Sequence, residues 1–123
     1  MLKSLLLVGL GGFIGSVGRY LVAVWLMKID WQTPIATLFV NVLGSFLIGL
    51  IIASSVRNTD NLRLLLITGF CGGFTTFSTF SFENLKLIEQ GYYATSIQYI
   101  LMSLLGGLLF VFLGYWAGTK LFV

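Results

Sequence analysis

Four apolar stretches, each long enough to cross a lipid bilayer, take up almost all of this 123-residue chain. They cover residues 2–27, 34–56, 62–88 and 93–123. A helix needs only about 20 predominantly apolar residues to span the hydrocarbon core. The connections at 28–33, 57–61 and 89–91 are short and gather charges and turn formers, five of the eleven charged residues among them, as loops between neighbouring helices do. Pro34 stands where the first turn of a helix tolerates proline. No ten-residue alternation of apolar and polar residues suggests a transmembrane barrel. The first stretch is too long, and lacks the small-residue cleavage site, to be a removable signal peptide. The expectation is an all-α membrane protein, one four-helix transmembrane domain over residues 1–123, with both termini on one side. Composition agrees: 58% of residues are hydrophobic and 9% charged, against about 45–50% and 25% in soluble domains.

Charge removes several function classes. Seven Lys and Arg against four Asp and Glu give a net +3, too weak and too dispersed for a nucleic-acid footprint. The chain has no histidine and a single cysteine, Cys71, so the commonest general base and metal ligand is missing and no internal disulfide can form. Cys71 reads as a small buried hydrophobe, and no enzyme is expected. The basic residues are almost evenly divided. Lys3, Arg57, Arg63 and Lys120 fall on the terminus side, Lys28 and Lys86 on the other, with Arg19 nearer the latter. Positive charge in short loops normally sets orientation. This distribution admits two readings: insertion in both directions with pairing of inverted copies, or one orientation under a weak bias.

Glycine falls at helix-contact spacing. Gly11 and Gly15 are four apart, as are Gly114 and Gly118, and Gly44 adjoins Ser45. Small residues at this spacing let helix backbones approach closely in lipid. The run from Gly9 to Gly15 is not a dinucleotide fingerprint, because Ile14 stands where the third glycine belongs and no strand precedes it.

Polar groups inside membrane segments are costly, so their placement carries the functional information. Thr37, Asn41 and Ser45 repeat every four residues and share one face of the second helix. Tyr99 and Ser103 repeat that spacing on the fourth. Either helix packing or transport explains such stripes. The third stretch is more telling. From Thr68 to Phe82 it holds Gly72, Gly73 and a dense set of hydroxyls, poor material for a continuous helix. A break is expected near residues 72–76. Backbone freed at mid-membrane is tolerated only inside protein or beside a water-filled cavity, where carbonyls suit a cation and half-helix amides an anion. Phe77 and Phe80 share a face, with Thr76 and Thr79 on an adjacent one. Ring edges are electropositive, so edges beside hydroxyls can line an anion path; core packing is the plainer reading of such a stripe. Arg19 either snorkels to the interface or gives a vestibule a positive field. Glu83 and Lys86, or Lys86 and Glu89, stand at pairing distance along the helix.

Three motifs together resemble the Fluc (CrcB) fluoride channels: Gly11 to Tyr20, Asn41 to Phe46, and Gly69 to Ser81. The resemblance extends over all four stretches. It implies a fluoride-selective channel in the cell membrane, passively exporting fluoride. It further implies an antiparallel, dual-topology homodimer with two pores, and a structural Na⁺ on the dimer axis held by the backbone carbonyls of Gly72 and Thr75. By motif position, Phe77 and Phe80 are the pore phenylalanines and Asn41 gives its amide to fluoride. Ser78 and Thr79 are hydroxyl candidates, Tyr99 and Ser103 belong to a polar track, and Arg19 sits at the vestibule. One departure stands out: a turn beyond Ser103 the track meets Gly107, so water or another helix is expected to complete it.

Two other classes share the four-helix outline. A proton-coupled exporter of lipophilic cations needs a membrane-embedded carboxylate, usually in the first helix, and residues 2–27 contain no Asp or Glu. A non-transporting assembly subunit would account for the glycine spacing but not for the polar, glycine-broken third stretch.

Overall fold

The computed structural model describes residues 1–29, 33–54 and 59–122. Arg57, on which the charge count partly rested, and residues 30–32 and 58 of the first two connections lie outside the described residues. Helix α1 is Leu2–Lys28, α2 is Thr33–Ala53 and α6 is Tyr93–Phe122. The third span, Asp60–Glu89, is composite. It begins with a single turn, α3 (Asp60–Leu62), widens into a π-helical stretch, Arg63–Cys71, and returns to α4 (Gly72–Phe74). After two extended residues it restarts as α5 (Phe77–Glu89). All four spans are long and apolar enough to cross a membrane, and no strand occurs among the described residues. The all-α expectation holds.

Two helix pairs build the domain, and glycine makes both. Helix α1 lies against the first half of the third span. A Cβ on Gly11 would collide with Leu65 O, one on Gly15 with Phe70 O, and one on Gly73 would fall 2.5 Å from Gly12 O. Helix α2 lies against α6, where Gly49 faces Val111 O and Gly114 faces Phe46 O with the same lack of space. In lipid no hydrophobic force drives helices together, so this backbone proximity is the source of association. Large apolar side chains such as Leu6, Phe13, Leu105 and Phe112 point outward. That outer surface is fit for lipid rather than water.

The break sits at the end of its expected window, and the glycines do not make it. Gly72 is helical at φ −63°, ψ −38°, whereas Thr75 (φ −87°, ψ 157°) and Thr76 (φ −149°, ψ 117°) are extended. Gly73 serves the contact with α1. At the far end, α5 stops in a six-to-one turn: Tyr92 N donates to Leu87 O (2.8 Å) and Gly91 N to Ile88 O (3.0 Å). Gly91 takes the left-handed φ of 82° that this turn demands.

Candidate functional site: a polar seam at the mid-membrane break

The break leaves backbone groups that α2 and the hydroxyls reclaim. Thr75 stays tied to the helix behind it, its N and Oγ1 both donating to Cys71 O at 3.0 and 2.9 Å. Thr76 turns away. Its N donates to Asn41 Oδ1 (2.8 Å), and its carbonyl accepts from Asn41 Nδ2 (3.0 Å). Thr76 N is the amide that would have closed the next helical turn on Gly72 O, so that carbonyl is released. Thr76 Oγ1 caps α5, accepting from Thr79 N (3.2 Å), donating to Thr79 Oγ1 (3.1 Å) and lying 3.3 Å from Ser78 Oγ. Asn41 thus commits one of its two amide protons to the break and keeps the other.

Beyond the cap runs a row of rings. Phe77 and Phe80 lie 5.6 Å apart, and Phe80 stacks on Tyr99 of α6 at 5.0 Å and 21°. Phe77 is 77% exposed, so one end of the row faces outward from the chain. Tyr99 OH donates to Glu83 Oε2 (3.3 Å), and Thr37 Oγ1 donates to Glu83 Oε1 (2.5 Å). Glu83 is only 5% exposed; a carboxylate so deeply placed needs such donors. It therefore pairs with Thr37 and Tyr99 instead of with Lys86, whose Nζ sits 4.7 Å from the centroid of the Phe82 ring. Ser103 Oγ is buried with no hydrogen-bond partner among the described residues.

Cavities flank this seam. One of about 290 Å³ brings Arg19 together with Thr37, Thr76 and Thr79. Another of about 470 Å³, which also reaches Thr76, is lined by Asn41, Ser45, Gly72, Thr75 and Phe77. Among the described residues no cluster of three His, Cys, Asp or Glu could hold a metal, so oxygen dipoles are the available cation ligands. Every site residue expected from sequence lies on or beside the seam except Ser103, which no hydrogen bond among the described residues ties to the other members.

The matching of known sequences decides the family: residues 6–115 fit the CrcB-like protein family, described also as Camphor Resistance (CrcB). The chain belongs to the CrcB-like family. A relative from Azobacteroides pseudotrichonymphae is 45% identical over 119 residues, 94% of this chain and 95% of the relative. One from Chlorobium chlorochromatii is 48% identical over 113 residues, covering 89% and 88%. One from Leptospira interrogans is 47% identical over 118 residues, covering 93% of each. All three are named fluoride-specific ion channel FluC. This CrcB-like chain is accordingly a multi-pass membrane protein of a channel family, not an enzyme.

Sequence reasoning missed Thr37 and Glu83 as members of the polar seam in this CrcB-like chain, although Thr37 was visible in the α2 stripe. The signal for Glu83 was its helical phase, three residues beyond Phe80 and seven beyond Thr76. It also missed Asn84 and Ser96, buried and joined by a hydrogen bond from Ser96 Oγ to Asn84 Oδ1 (2.8 Å).

Proposed function

We propose that this chain is a fluoride-selective channel through which F⁻ leaves the cytoplasm passively across the cell membrane. The observation that carries the reading is the mid-membrane break itself. Asn41 holds it open, and it starts a half-helix whose first turns carry hydroxyls beside Phe77 and Phe80, with Phe80 stacked on Tyr99 of α6. The relatives' shared name supports fluoride as the ion.

HF enters cells as a neutral acid and dissociates in a less acidic cytoplasm, where F⁻ is trapped. An inside-negative potential drives F⁻ outward by about 2.3 kcal/mol per 100 mV. The path has to replace the tight hydration shell of F⁻ with donors and electropositive ring edges. The residues with protons to give are Asn41 through its second amide hydrogen, Ser78 and Thr79 beside the rings, and Ser103, whose buried hydroxyl has no partner among the described residues. Tyr99 contributes its ring, since its hydroxyl proton is committed to Glu83. Arg19, in the cavity that reaches Thr76 and Thr79, gathers anions at the mouth. A larger anion with a looser shell gains less from the same closely set donors.

Two copies in antiparallel orientation make the working unit, with two pores. The near-even spread of basic residues and the outward-facing Phe77 support this reading. Gly72 and Thr75 fit a structural Na⁺ between the copies. They share one groove, Gly72 O is released from its helical partner, and no side chain stands within 4 Å of where a Gly72 Cβ would be. Carbonyl oxygens are hard ligands suited to a hard cation. When bound, Na⁺ would neutralise the carbonyl ends gathered at the break.

Liposomes containing the purified protein, loaded with fluoride or chloride and driven by a potassium–valinomycin gradient, test the proposal with ion-selective electrodes. Fast fluoride release with chloride retained is expected. Equal release of both ions, or of neither from protein that is folded in the presence of sodium, would overturn it.

A further inference from the structure

Helix α5 carries the pore phenylalanines of the proposed function, yet it is a half-helix of 13 residues cut from the rest of its span by the break. What fixes its position is therefore a functional matter. At the break end, Asn41 holds Thr76. Midway along, at Asn84, α5 meets α6 in a second polar contact outside the seam. Ser96 Oγ donates to Asn84 Oδ1 (2.8 Å), and Asn84 Nδ2 donates to Phe80 O (2.9 Å). The two side chains are 2% and 7% exposed. Asn84 thus hydrogen-bonds to α6 with its oxygen and to the backbone of Phe80 with its nitrogen.

The register matters. Phe80 and Asn84 are four apart on α5, and Ser96 and Tyr99 three apart on α6, so each pair shares a helix face. The same helix contact therefore holds the Asn84–Ser96 bond and, one turn away, the Phe80–Tyr99 stack. An apolar helix contact in lipid slides at little cost because lipid is as apolar as the side chains. A buried polar pair does not slide, since any displacement leaves both groups unsatisfied. This is how a single buried asparagine fixes register in coiled coils.

We infer that Asn84 and Ser96 are positioning residues for conduction, a latch between α5 and α6 that sets Phe80 against Tyr99 and so fixes the pore wall. The inference rests on the reading of Phe80 as a pore residue. Neither Asn84 nor Ser96 touches the ion.

The test uses full-length protein reconstituted so sparsely that most active liposomes carry one channel. The fraction of liposomes that release fluoride then counts folded channels, and the rate within them reports each pore. Asn84→Leu and Ser96→Ala are each expected to slow the rate roughly tenfold, within the roughly hundredfold that a 1 Å misplacement can cost a preorganised site. Ser96→Thr, which keeps the hydroxyl, restores it. Because either single variant strands a buried polar group, the double variant Asn84→Leu/Ser96→Ala removes both groups together, which preserves folding. Its active fraction is expected to match the parent's and its rate to stay as slow as either single variant's. A double variant conducting at the parental rate would show that the pair only holds the fold. Fluoride retained by the unaltered protein, or a Phe80→Ile rate equal to the parent's, would overturn the pore reading itself and this inference with it.

Discussion

Asn41 grips Thr76 by both ends of its backbone: the side-chain oxygen takes the Thr76 amide at 2.8 Å and the side-chain nitrogen reaches the Thr76 carbonyl at 3.0 Å. A mid-membrane break exposes just such a pair of groups, and in lipid each unmet one costs several kcal/mol. The third span can thus be interrupted because the second supplies, from one side chain, the donor and acceptor that the helix gives up.

Asn41→Ala is therefore expected to lower stability by about 1–3 kcal/mol per stranded group and to abolish fluoride flux. Asn41→Asp, which keeps the acceptor and loses the donor, is expected to fall between the two. Thermal unfolding in detergent alongside liposome efflux checks both. An Asn41→Ala protein that melts like the parent would contradict the clamp.

The glycines divide into two groups by the space around them. Gly11 and Gly15 have backbone of the third span where a Cβ would go, whereas Gly9 has nothing within 4 Å. Gly11→Ala and Gly15→Ala are expected to cost about 1–3 kcal/mol, as overpacking does. Gly9→Ala is expected to be neutral or mildly stabilising, because alanine is the better helix former. Unfolding of the three variants in parallel separates these outcomes.

The spans, their close-packed glycines and the existence of a break were all legible in the residues, because each follows from local composition at a known period. The cause of the break was not. Gly72 and Gly73 look like helix breakers, yet close approach to Gly12 uses Gly73 inside a helix, and the chain opens at Thr75 and Thr76, where Asn41 offers a substitute bond. Glu83 was obscured similarly. An i,i+3 lysine is a sufficient partner by spacing alone. Only the packing of three helices reveals that its carboxylate faces Thr37 and Tyr99. Asn84 and Ser96 stand at helical spacing from Phe80 and Tyr99, but spacing within each helix does not say which residues meet between helices; their pairing is a product of how α5 docks on α6.

Gly72 and Thr75 are proposed to hold Na⁺ through backbone oxygens, which makes the site insensitive to side-chain chemistry. Thr75→Val should lose the hydroxyl bond to Cys71 O, a cost of about 1 kcal/mol, while its conduction keeps the sodium dependence of the parent. Replacing sodium by N-methylglucamine throughout purification and assay should suppress fluoride flux in both proteins, with recovery when sodium is returned. Flux indifferent to sodium would remove the cation from the account.

Tyr99 serves the seam twice, stacking on Phe80 and donating to Glu83. Tyr99→Phe keeps the ring and strands part of a buried carboxylate, so it should melt earlier than the parent by about 1–3 kcal/mol. Tyr99→Ala loses the stack as well, worth about 0.5–1.5 kcal/mol beyond its area, and also the wall against which Phe80 rests. Efflux should accordingly rank parent, then Tyr99→Phe, then Tyr99→Ala. Equal rates for the two variants would mean that the ring does not shape the path.

Gly107 stands where a hydroxyl was expected on α6, and the hydroxyl of Ser45 on α2 lies beside it. A Cβ added there would lie 3.6 Å from Ser45 Oγ, an ordinary contact. Ser45, one turn beyond Asn41 on α2, therefore brings its hydroxyl to the vacant position from the opposite helix. It now donates to Asn41 O at 2.8 Å, a local bond that a passing anion could replace by rotation of the hydroxyl. Ser45→Ala should slow fluoride efflux, and adding Gly107→Ser in the same chain should recover it, since a serine at 107 meets no crowding and returns an oxygen to the same space. Gly114→Ala provides the contrast: its Cβ would collide with Phe46 O, so it should destabilise the protein with no bearing on the hydroxyl. Efflux that is unchanged in Ser45→Ala, or not recovered in the double variant while its active fraction stays normal, would rule out the exchange of a hydroxyl between the two helices.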